Sequence, residues 1–94
     1  MRINKFPTGY LEFENNVLTL GGGETVTVLA KDILSIEYRD GKKSIFSKNP
    51  PIILEITYKA GLGANTNKIL IDKSETIHIA EFCTQIKNSA LLSK

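Results

Sequence analysis

"ILIDKSETIHIAEFCTQIKNSA", residues Ile69 to Ala90, is the stretch where the chain changes period. Its first part, with "KILID", alternates as a strand does. From Ile79 onward Phe82, Cys83, Ile86 and Ala90 recur at helical spacing along one face, while Glu81, Gln85, Lys87 and Asn88 fall on the wet side. Between the two, Asp72 or Ser74 can cap a helix, and Asp72 with Glu75 has the spacing of a capping box. A lone helix with one apolar stripe must bury it on something else. What precedes it therefore decides the fold.

Upstream the dominant period is two. In "YLEFE" Leu11 and Phe13 share one face, and Asn15-Asn16 then suits a tight hairpin into "VLTL". "TVTVLA" alternates again, and "LSIEYR" aligns Leu34, Ile36 and Tyr38 on an inward phase. Asp40-Gly41 is a strong hairpin signal, with "SIF" running back from it as a short strand. Pro50-Pro51 marks a connection or a strand edge. "IILEITYK" sets Ile52, Leu54, Ile56 and Tyr58 on one side, "AGLGANTN" reads as a loop, and "KILID" as the last strand. The expectation is a mainly β chain of seven antiparallel strands, arranged as a barrel or sandwich and closed by one C-terminal α-helix.

The 94 residues fit one domain, residues 1–94, and 41% hydrophobic with 23% charged residues is ordinary for a globular chain. A net charge of +2 is too small to imply nucleic acid, which is not an expected partner. The N-terminal "MRINKFPTGY" lacks an apolar run of signal-peptide length, no stretch is long enough to span a membrane, and the single Cys83 excludes a disulfide framework. A cytoplasmic location is expected.

The residues that could carry chemistry are few. Gly21 to Gly23 invite a phosphate-loop reading, but that site needs a following helix and a lysine, whereas "ETVTVLA" is a strand by period. A turn is expected instead. His78 and Cys83 fall on different helix faces, with no second histidine or cysteine to complete a zinc site. Cys83 belongs to the apolar stripe, and His78 is expected as a solvated or hydrogen-bonded residue near the helix start. Glu12, Glu14, Glu37 and Glu55 all take the polar phase of their strands. No catalytic residue, metal site or cofactor is expected. Arg39, Lys42, Lys43 and Lys48 cluster around one hairpin and are candidates for an anionic lipid headgroup or a phosphate backbone. Charged hairpin tips also serve solubility and deter edge pairing.

Taken together, "GYLEFENNVLTL", "AKDILSIEYRDGKK" and "IHIAEFCTQIK" resemble the pleckstrin-homology-like superfold, and particularly its small bacterial members. The resemblance spans nearly the whole chain. It implies two bent antiparallel sheets with the helix covering an open corner. Phosphoinositide-binding members carry basic residues around the first hairpin, which here reads "EFENNV" and is acidic. The resemblance therefore implies an assembly or adaptor module, acting on protein partners or on further copies of itself. Ile33, Ile53 and Leu70, apolar residues on the outward phase, are the candidate interface positions.

Overall fold

The computed structural model describes residues 1–21, 25–41 and 50–92. Asn15 and Asn16 take φ of +51° and +63°, the left-handed pair that a two-residue hairpin requires. They fold β2 (Tyr10–Glu14) onto β3 (Val17–Leu20) with Glu14 opposite Val17 and Leu11 opposite Leu20. β4 (Val26–Leu29) continues the meander, with Leu20 opposite Val26. Gly22 and Gly23, where the turn is expected, lie outside the described residues, and the segment that follows them is a strand. β1 (Arg2–Asn4) adds to the free side of β2, giving a four-stranded sheet in the order β1-β2-β3-β4.

Gly21 is needed for a close approach. The Tyr10 ring occupies the space a side chain would take, with Cζ 2.5 Å from where a Cβ would stand. The Arg2 guanidinium lies 4.2 Å from the centre of the same ring, a cation–π contact.

The second sheet contains β5 (Ile33–Asp40), β6 (Ile52–Ala60) and β7 (Gly63–Ile71) in that order. Seven strands are present among the described residues, but they are not the expected seven. β1 was not legible, and "SIF" lies outside the described residues. "AGLGANTN" is a tight turn at Gly61-Leu62 followed by strand, since β7 pairs with β6 without a slip from Ala60↔Gly63 to Ile52↔Ile71.

The two sheets meet at one seam. Lys5 bridges to Ile71, the Phe6 N–H donates to the Leu70 carbonyl at 3.0 Å, and the Asp72 N–H donates to the Asn4 carbonyl at 3.0 Å. At the other side β4 and β5 are joined by a short 3-10 turn, Ala30–Asp32, without pairing to one another. The sheets therefore form an open two-layer structure, not a closed barrel.

The terminal helix, α1 (Ile79–Leu92), packs across that open side, against β5 and the Ala30–Asp32 turn. It buries Ile79, Phe82, Cys83, Ile86 and Ala90, the stripe its periodicity predicts. These join Leu11, Leu18, Ile36, Leu54, Ile56 and Ile71 in one core cluster. Each large side chain so buried contributes about 1.5–3 kcal/mol of hydrophobic stabilisation.

β5 departs from simple alternation. Its register with β6 shifts between Ile33 and Ser35, so Ile33 and Ile36 both reach the core, at 2% and 1% exposure. Ile33 therefore faces the core and not outward. The bulge turns Leu34 out of the inward phase and leaves it exposed. Tyr38 keeps the inward register opposite Leu54, yet it is 45% exposed because no described strand pairs with the far side of β5.

Candidate interaction site

The outer edge of β5 and the C-terminal half of α1 face each other across a groove of about 280 Å³. Ile33, Leu34, Ile36, Ala90 and Leu91 supply its apolar lining, and Glu37 and Lys87 are its charged members. Leu34 and Leu91 remain 44% and 72% exposed. Among the described residues β5 pairs only with β6, so its far edge presents N–H and C=O groups beside an apolar trough. Such an edge is a template for one more strand.

The outward face of this sheet gathers several of the residues singled out from sequence. Arg39 stands opposite Ile53, and Ile53 opposite Leu70. Phe6 extends the row through its bond to the Leu70 carbonyl, and is itself 45% exposed. Ile53 and Leu70 are thus cross-strand neighbours, while Ile33 is buried and lines the β5–α1 groove. The adjacent row places Glu37 opposite Glu55, and Glu55 opposite Lys68. Arg39 Nη1 reaches Glu55 Oε2 at 3.4 Å, and Lys73 Nζ reaches Asp40 Oδ1 at 3.4 Å. Lys42, Lys43 and Lys48 lie outside the described residues, so the basic cluster is represented only by an arginine already engaged with a carboxylate.

One pair escaped the sequence reading. Glu75 is buried at 7% exposure, accepts from the Asn4 backbone N–H, and lies 2.9 Å from His78 Nδ1. The D-x-x-E spacing flagged Glu75 as half of a capping box. Its carboxylate turns instead to β1, and only the Asp72 half of the cap forms, accepting from the Ser74 N–H at 2.9 Å. That bond holds the Asp72 carboxyl below the ordinary carboxylate range. His78 is half exposed and hydrogen-bonded, and the Glu75–His78 pair lies apart from the β5–α1 groove.

Burial pushes the Cys83 thiol up to about 11, outweighing the nearby Lys87 charge, so the sulfur is a neutral packing group at neutral pH. Among the described residues no three His, Cys, Asp or Glu side chains come together to hold a metal ion. No described helix is long and apolar enough to cross a membrane. No family model, no curated protein and no solved structure matches the chain.

Proposed function

We propose that this chain is a non-catalytic interaction module of pleckstrin-homology-like build, receiving an extended segment of a protein partner along β5. The observation that carries it is the β5 edge, which no other described strand pairs, beside the apolar groove against α1. Backbone pairing would supply affinity, and the trough lined by Leu34, Ala90 and Leu91 would take alternate side chains of the incoming strand. Two sheets of four and three strands, with the helix over the open β4–β5 side, support the pleckstrin-homology-like assignment.

A displayed library of short peptides, panned on the folded protein and followed by amide-shift mapping, tests the function. Binders should shift β5 and α1 amides together and lose affinity with Leu34→Asp or Leu91→Asp, both at exposed positions. Binders that shift other surfaces only, or a library that yields none, would refute the assignment. Sedimentation with anionic vesicles at low salt tests the alternative partner, and salt-sensitive binding would favour it.

A further inference from the structure

β5 carries an unresolved electrostatic conflict. Glu37 stands directly opposite Glu55, and like charges across a strand pair are unfavourable. Arg39, two residues on and on the same face, gives its guanidinium to Glu55. Among the described residues Glu37 has no ion-pair partner. A cation arriving from the open side of β5 would relieve the conflict, and β5 itself contains one at the matching spacing.

We infer that a second copy of this chain pairs antiparallel along β5 about a two-fold axis at Tyr38, merging two three-stranded sheets into one of six. This rests on the interaction role assigned to the β5 edge above, and names its occupant. With the axis at Tyr38, Glu37 of each copy opposes Arg39 of the other, so two ion pairs form by symmetry. The two Tyr38 rings, half exposed for want of a neighbour, become a directly opposed aromatic pair on the inward face. Ile36 then opposes Asp40 of the second copy, a carboxylate already matched by Lys73. Other face-preserving registers do worse. An axis at Glu37 or Arg39 sets like charges against each other, and one at Ile36 opposes Glu37 to Ser35 with no ion pair.

Sedimentation equilibrium across a concentration series reaching the millimolar range reads the association. The wild-type chain should dimerise, more weakly as salt rises. Glu37→Arg alone and Arg39→Glu alone should each raise the dissociation constant roughly tenfold, because each reversal acts at two symmetric places. The combined Glu37→Arg/Arg39→Glu chain keeps the complementarity and should return to within about threefold of wild type. Register is read by cross-linking. Tyr38→Cys should form a disulfide dimer on mild oxidation, as directly opposed strand residues meet the Cα spacing a disulfide needs. Glu37→Cys and Arg39→Cys should not, and the buried Cys83 does not compete. Circular-dichroism melts establish that each variant is folded.

A wild-type chain that stays monomeric, a dissociation constant indifferent to the reversals, or a folded Tyr38→Cys chain that fails to cross-link would each overturn the inference. In those cases the peptide panning still reports whether the edge accepts a foreign strand, so the two failures are separable.

Discussion

Replacing Glu75 by alanine removes the group that ties the start of the chain to the approach to the helix. The carboxylate is 7% exposed and serves two partners, the Asn4 backbone N–H and His78 Nδ1. His78 is half exposed and can turn to water, so its share is small, below about 1 kcal/mol. Glu75 is the acceptor the structure gives the Asn4 N–H. Hydrogen bonds to charged groups contribute about 1.5–3 kcal/mol, and an orphaned donor costs a similar amount. Glu75→Ala should therefore lose about 2–3 kcal/mol, which for a chain of this size lowers Tm by roughly 10–20 °C. Glu75→Gln keeps an oxygen for Asn4 and should cost about 1 kcal/mol. Urea denaturation measures both, and native-state amide exchange places the effect: the Asn4 amide should exchange faster in the alanine variant while the β6–β7 amides hold their protection. An alanine variant no costlier than the glutamine one, or an Asn4 amide with unchanged exchange, would refute the tie.

Gly21→Ala drives a Cβ into the Tyr10 ring and should cost about 1–3 kcal/mol in a urea titration, with most of the cost gone in a Tyr10→Ala background. Cys83 should resist a thiol reagent in the native protein and react at once in denaturant. Its raised pKa also sets a pH trend. The unfolded thiol ionises first, so stability is intact below about pH 9 and falls as pH rises toward 11, and thermal melts of Cys83→Ala should lack that component. Asp72 has the opposite sign. Its cap is fully present above the unfolded carboxyl pKa and is lost as pH falls through the lower folded value, so the stability gap to Asp72→Asn should close in acid.

The helix was legible because its burial is one-sided: Ile79, Phe82, Cys83, Ile86 and Ala90 all face the core. The Asn15-Asn16 hairpin was legible because its backbone demands a rare conformation that few residue types accept. β7 was misread for a physical reason. From Gly63 to Thr66 it lies beyond the core and is exposed throughout, held to β6 by backbone pairing and by the Thr57–Thr66 hydroxyl contact at 2.9 Å. Neither face there selects for apolar residues, so no alternation is written. β1 leaves a signal of one residue, the buried Ile3. Ile33 was placed outside because a bulge shifts phase without any composition cue. The candidate site was less legible than the fold. Ile53 and Leu70 were found as outward apolars, but the groove depends on where α1 crosses β5, and Glu75's partner Asn4 lies far off in sequence. Only the tertiary structure brings these together.

The seam between the sheets also governs when the protein can fold on the ribosome. Asn4, Lys5 and Phe6 are synthesised well before their partners Leu70, Ile71, Asp72 and Glu75. Until that stretch clears the exit tunnel, β1 has one half of its bonding unmet, and the nascent four-stranded sheet has no second layer to cover its apolar face. Closure must wait for the Leu70–Glu75 stretch to emerge. The order of translation and the order of docking are thus opposed at this joint, which favours slow, late completion over stepwise growth.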